Sequence, residues 1–153
     1  MRKFRKARMS DVEDIHRLIN NYAEQGLMLA RSRSMIYESL REFTVVEGED
    51  GRFLGVGGLH IIWEDLAEIR ALALEPGYLG KGIGRELVEA LVDEAKQLGI
   101  KRVFALTYQK DFFARCGFSV VKKEEMSPKV WKECINCPKF PNCDEVAMIR
   151  DLD

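Results

Sequence analysis

The segment from Ala67 to Gly84, AEIRALALEPGYLGKGIG, constrains the fold of this chain more than any other stretch. An alternating apolar run meets Pro76 and Gly77, glycines recur at every second position (Gly80, Gly82, Gly84), and an amphipathic helix pattern begins at once. Strand, turn and helix therefore follow one another, with little side-chain bulk before the first helical amides. First-turn N–H groups lack internal partners and the helix dipole favours an anion there, so such a turn can wrap a phosphate or diphosphate.

Other readings of the glycines fit less well. A Walker A loop requires Lys followed by Ser or Thr, and Lys81 is followed by Gly82. A dinucleotide fold wants G-x-G-x-x-G, whereas the spacing here is G-x-G-x-G and the preceding strands read as hairpins. Glycines that serve only tight helix–sheet packing are the plain alternative. A phosphate-bearing cofactor held by backbone N–H groups is favoured because several bare amides converge. Lys81 and Arg85 either add charge to its phosphate end or are solvated helix residues.

The rest of the chain supplies a sheet around this unit. Strands are expected at Arg2 to Met9, Phe43 to Glu47, Phe53 to Ile62, Ala67 to Leu74, Arg102 to Thr107, Phe118 to Lys122 and Val146 to Arg150. Asp50-Gly51 marks a hairpin turn. Helices are expected from Ser10-Asp11 onward, after Ser34 as cap, over Gly80 to Leu98 with Gly99 as stop, and over Asp111 to Cys116. This order predicts an α/β (α+β) domain over 1–153, a central mixed sheet with helices on both faces. The stretch Ser127 to Asp144 is the one long structureless loop.

With 153 residues and a net charge of −1, the chain shows no broad nucleic-acid footprint. No apolar stretch approaches the roughly 20 residues of a membrane span, and no signal-peptide core is visible, so the expected location is cytoplasmic.

Two motifs at the right separation resemble the GCN5-related N-acetyltransferase (GNAT) superfamily. Its acetyl-CoA signature, Gln or Arg, two residues, Gly, one residue, Gly or Ala, is matched by Leu79-Gly80-Lys81-Gly82-Ile83-Gly84, with Leu79 departing from the first position. Asp111 to Phe118, DFFARCGF, is similar to the later helix ending in Gly-Phe. The stretches Leu29 to Arg33, Ile36 to Phe43, Ala67 to Pro76 and Leu106-Thr107 resemble the short amino-acid N-acetyltransferases related to N-acetylglutamate synthase. The resemblance implies a mostly antiparallel sheet of about seven strands, acetyl-CoA as cosubstrate and a small amino acid, glutamate, as acceptor in arginine biosynthesis. Neither nucleic acid nor membrane is implied as a partner, and homodimers are frequent in the superfamily.

The chemistry then asks for named groups. An α-amine is largely protonated at pH 7 and must lose a proton before it attacks. Glu68, flanked by apolar residues in the central strand, is the candidate base, its alternative being a surface ion pair. The backbone of Leu72, Ala73 and Leu74 is expected to donate to the thioester carbonyl, as the resemblance implies. Phe113 occupies the position where many members carry a tyrosine acid, which leaves Tyr108 as the nearby phenol. Arg31, Arg33 and, more weakly, Lys110 are candidates for the substrate carboxylates. His60 reads as a structural histidine or a base. Cys134, Cys137 and Cys143 have metal-ligand spacing, so a structural zinc, a redox pair or plain thiols are the readings open for that loop.

Overall fold

The computed structural model describes residues 2–126 and 145–152. Seven strands form one sheet in the order β1-β2-β3-β4-β5-β7-β6. They are β1 (Lys3–Lys6), β2 (Phe43–Glu47), β3 (Phe53–Trp63), β4 (Leu66–Leu74), β5 (Arg102–Thr107), β6 (Ser119–Val121) and β7 (Val146–Asp151). All neighbours are antiparallel except β4 and β5. That parallel pair is joined by a helical crossover, as parallel strands require.

Helix α1 (Val12–Glu24) forms because Val12, Ile15, Leu18 and Ile19 recur on one face, and all four are buried. Its entry is fixed by Asp11, whose carboxylate accepts the Arg8 amide at 2.6 Å and a two-pronged Arg5 guanidinium at 2.8 and 2.9 Å. Helix α2 (Arg33–Glu38) is capped by Ser32, whose hydroxyl accepts the Met35 amide at 3.1 Å. The expected cap, Ser34, lies inside the first turn; only Ser32 has the extended backbone of a cap. Helix α3 (Ile83–Gln97) starts three residues later than the sequence predicts, since Gly80 and Gly82 hold φ of 76° and 81°, outside helical space. It stops in a Schellman motif: the Gly99 amide donates to the Lys96 carbonyl and the Ile100 amide to that of Ala95. Helix α4 (Lys110–Arg115) ends the same way around Gly117.

Helices α3 and α4 cover one face over Leu59, Ala67, Ile69 and Val103, while α1 and α2 cover the other over Val45, Val56 and Ala73. Side chains alternate along a strand, so Glu68 and Arg70 share the face of α1 and α2. The pairing of β3 with β4 shifts register twice, between Ile61 and Trp63 near its start and between Gly58 and Val56 further along. Gly58 pairs with Arg70 and Val56 with Ala73, so Ala71 and Leu72 together oppose Gly57. At this bulge Ala71 takes φ of 55°, the one positive φ among described non-glycine residues. A left-handed alanine costs roughly 1–2 kcal/mol.

The bulge coincides with an opening in the sheet. Strands β4 and β5 pair only at Leu66↔Arg102, Ala67↔Val103 and Glu68↔Phe104. Beyond that point β4 continues along β3 as far as Leu74, and β5 along β7 as far as Thr107. A wedge-shaped gap therefore separates residues 69–74 from residues 105–107.

Candidate active site

Glu68 stands at the closed end of this gap, the glycine turn at the open end. Alternation decides which backbone groups line it. The Glu75 amide donates to the Leu54 carbonyl at 2.9 Å, so Glu75 and Ala73 turn their main chain toward β3. Leu72 and Leu74 turn theirs toward the gap. Of the expected donor trio, Leu72 and Leu74 thus face the opening and Ala73 faces Val56. The Leu74 carbonyl is taken by α1: the Tyr22 hydroxyl donates to it at 2.6 Å. Burial pushes the Tyr22 phenol up from its ordinary pKa, which keeps that proton in place as a donor. Two-pronged contacts from Arg17 to Glu75, 2.7 and 3.1 Å, fasten the same point. Tyr22 continues the apolar face of α1 at the spacing of Leu18, and nothing in that spacing marks this contact.

The three glycines of the turn divide into two kinds. A Cβ built on Gly80 or Gly82 meets nothing within 4 Å. A Cβ on Gly84 would stand 3.2 Å from the ring of Phe112, so this third glycine lets α4 approach α3. The first backbone bond of α3 runs from the Glu86 amide to the Gly82 carbonyl. The amides of Ile83, Gly84 and Arg85 consequently have no intrahelical partner. Bare space, left-handed glycines and unpartnered amides fit an anionic group such as a diphosphate. Lys81 lies with Nζ 5.4 Å from the Tyr78 ring centre, and the Tyr78 hydroxyl accepts Arg52 at 2.8 Å. Arg85 is exposed beside the turn, as is Leu79.

The polar candidates separate. Glu68 is buried, and Arg70 donates to its Oε1 at 3.0 Å. The expectation of an apolar surrounding is thereby corrected: residue 70 lies two positions on, on the same face, so a guanidinium faces the carboxylate. Arg31 is also buried, in the α1–α2 connection; Asn20 holds its main chain, donating to the carbonyl at 2.8 Å and accepting the amide at 3.2 Å. The side-chain Nε atoms of Arg31 and Arg70 are both buried and carry no hydrogen bond among the described residues. Arg33 is exposed and clasps Glu13 of α1 through two bonds of 2.8 Å. That contact holds the Glu13 carboxyl below its ordinary pKa. The two arginines read together in the sequence thus have different surroundings, because helix α2 starts at Arg33 and turns it outward.

Tyr108 is half-buried between β5 and α4, and Lys110 is exposed at the first position of α4. Phe113 is a core residue, edge-on to Phe112 and Phe118 with ring centres 5.2 Å apart in both pairs. Cys134, Cys137 and Cys143 lie outside the described residues. Among the described residues no group of three His, Cys, Asp or Glu side chains could hold a metal ion, and no helix is long and apolar enough to cross a membrane.

A mixed seven-stranded sheet, split between two parallel strands above a glycine turn, defines a class of acyl-transferring enzymes. The model of the Acetyltransferase (GNAT) family matches residues 10–118, and the chain belongs to that family. An amino-acid acetyltransferase of Mycobacterium tuberculosis is 40% identical over 131 residues, 84% of this chain and 75% of that protein. The crystal structure of Rv2747 from the same organism, solved in complex with CoA, superposes with a TM-score of 0.87 at 34% identity, covering 99% of both chains. N-acetylglutamate synthase from Neisseria gonorrhoeae, complexed with coenzyme A and N-acetyl-glutamate, superposes with a TM-score of 0.90 at 28% identity, and the whole of this chain spans 35% of that one. The chain is an acetyltransferase of the GNAT type.

Proposed function

We propose that this protein transfers the acetyl group of acetyl-CoA to the α-amine of L-glutamate, the reaction of N-acetylglutamate synthase, as one domain working in the cytoplasm at the head of arginine biosynthesis. The observation that carries this reading is the gap between β4 and β5, with a buried carboxylate at its closed end. The Neisseria neighbour and its bound N-acetyl-glutamate support the choice of acceptor.

Acetyl-CoA supplies the activated acetyl thioester. The amides of Ile83, Gly84 and Arg85, entered through Gly80 and Gly82, hold its diphosphate, with Lys81 and the Arg85 side chain adding charge. The main-chain groups of Leu72 and Leu74 take the ladder bonds that β5 has given up, and their N–H groups stabilise negative charge on the carbonyl oxygen. Glu68 accepts the α-ammonium proton, directly or through water, and the neutral amine attacks. Arg31, buried on the α1–α2 side, holds a substrate carboxylate in a planar fork. Arg33 reaches the substrate only by leaving Glu13, and Lys110 only from the exposed start of α4. Tyr108 lies beside the gap as the phenol available to the leaving thiolate. That thiolate, from a thiol of pKa about 8.5, leaves without obligatory protonation.

The test is the initial rate of CoA release across glutamate, glutamine, aspartate, polyamines and peptide N-termini. Glutamate is expected to give the highest kcat/KM, with Arg31→Ala raising the KM for glutamate well above that for acetyl-CoA. An equal rate with another acceptor refutes the substrate. Binding of acetyl-CoA without turnover on any of them makes the chain a sensor instead.

A further inference from the structure

The face that carries Glu68 holds a second polar pair with no task in the chemistry above. His60 of β3 is the direct partner of Glu68 across the antiparallel ladder. Directly opposed residues place their Cβ atoms about 5 Å apart on one face. His60 Nδ1 lies 2.8 Å from Oε2 of Glu42, the last residue of the helical turn Leu40–Glu42 that leads into β2. A carboxylate only accepts, so the imidazole donates its Nδ1–H to Glu42, and in the neutral ring Nε2 then carries the lone pair. The groups facing His60 are Glu42 from that turn, and Glu68 with its partner Arg70 from β4; β5 contributes the apolar Phe104 opposite Glu68. Both members of the His60–Glu42 pair are more open to solvent than Glu68. The Glu68 side chain is 9% exposed, that of His60 33% and that of Glu42 27%.

A buried base has to discharge its proton in every turnover, and a seated substrate pair closes the gap through which water would reach it. We propose that His60, oriented by Glu42, carries the amine's proton from Glu68 to solvent. The inference rests on Glu68 as base. The ammonium N–H bond breaks and its proton joins the Glu68 carboxylate, the freed nitrogen lone pair forms the C–N bond as the thioester C–S pair leaves with sulfur, and the second proton shed by that nitrogen passes to the departing sulfur to give the CoA thiol. The Glu68 proton then passes, through one water, to His60 Nε2. The imidazolium, held through Nδ1–H by Glu42, then gives its Nε2 proton to bulk water, which restores the starting tautomer and leaves Glu68 in its charged form. Protons and electron pairs balance without any further reactant. His60 acts through Glu68 and does not touch the substrate, so it is a positioning residue for the proton.

The experiment compares the full wild-type chain with His60→Gln, Glu42→Gln and Glu68→Gln, at saturating acetyl-CoA and amino acid in dilute buffer, with and without added imidazole. For His60→Gln the expected result is a kcat lowered on the order of 10-fold or more with both KM values nearly unchanged. Imidazole restores most of that rate, while Glu42→Gln lowers kcat in the same direction. A His60→Gln variant with wild-type kcat overturns the proposal. So does a loss that imidazole leaves in place, which is the mark of a merely structural histidine. A Glu68→Gln variant that keeps the wild-type rate removes the base itself, and a wild-type chain that turns over no amino acid removes the enzyme reading; these two results are distinct from a failure confined to His60.

Discussion

The central strand has two edges with opposite fates. Along β3, β4 is laddered from Leu66 to Leu74, so closely that a Cβ on Gly55 would stand 2.5 Å from the Leu74 side chain and 2.7 Å from the Ala73 carbonyl. Along β5, pairing ends after three residues. Buried backbone groups in native proteins are nearly always paired. An edge left open in the middle of a sheet is therefore reserved for a partner from outside, whereas the closed edge is architecture. Glycine serves both, for different reasons: at Gly55 because neighbouring atoms leave no room, at Gly80 and Gly82 because the turn is left-handed and faces empty space.

The contrast can be broken at either edge. The largest effect belongs to the open one. Glu68→Gln is expected to lower kcat by about 10²–10⁴-fold, the usual worth of a general base, with little change in the unfolding midpoint. Steady-state kinetics beside a urea titration checks both halves of that statement. On the closed edge the signs reverse. Gly55→Val is expected to cost about 3 kcal/mol or more of stability, read from the same titration, and to reduce activity only as far as folded protein is lost.

Gly82→Ala should sharpen the picture from the turn, where nothing blocks a methyl group. The left-handed backbone alone costs about 1–2 kcal/mol, and the acetyl-CoA KM rises on the order of 10-fold because the anion-facing amides shift. An unchanged KM would detach the glycine turn from the cosubstrate. The smallest effect is far from the gap. Arg5 holds the Asp11 carboxyl below its ordinary pKa, through two hydrogen bonds and opposite charge. A depressed folded pKa adds stability that is fully present above the unfolded value of about 3.9 and disappears as pH falls through the folded value. Asp11→Asn is thus expected to flatten the acid limb of the stability–pH curve below about pH 4, measured by denaturation at successive pH values, while the open edge keeps its activity near neutral pH.

Much of this arrangement could be read before any coordinates. Strands Phe43–Glu47 and Arg102–Thr107 have the limits that their apolar runs predict, and Gly99 stops α3 as expected. These features are local: a run, a turn residue, a cap. The bulge was illegible because Ala71 carries no mark of a positive φ; the pairing of Arg70 to Gly58 and of Ala73 to Val56 imposes it. The gap is equally silent, since β4 and β5 each look like ordinary paired strands. Arg31 and Arg33 stand two residues apart and were read alike, yet one is buried behind Asn20 and the other clasps Glu13, twenty positions away. Glu68 was legible as an acid in an apolar strand but not as a neighbour of Arg70 and His60, because facing depends on register and register is non-local.

The three-residue contact between β4 and β5 has a mechanical meaning. Four strands on one side and three on the other form two stiff ribbons, sewn together by one short seam and strapped by helix α3. Whatever lies in the notch lengthens the seam, so occupancy and rigidity rise together. Amides at Leu72 and Leu74 would then exchange with solvent rapidly in the empty protein and slowly in the loaded one, reporting each filling of the notch as a stiffening of the whole sheet.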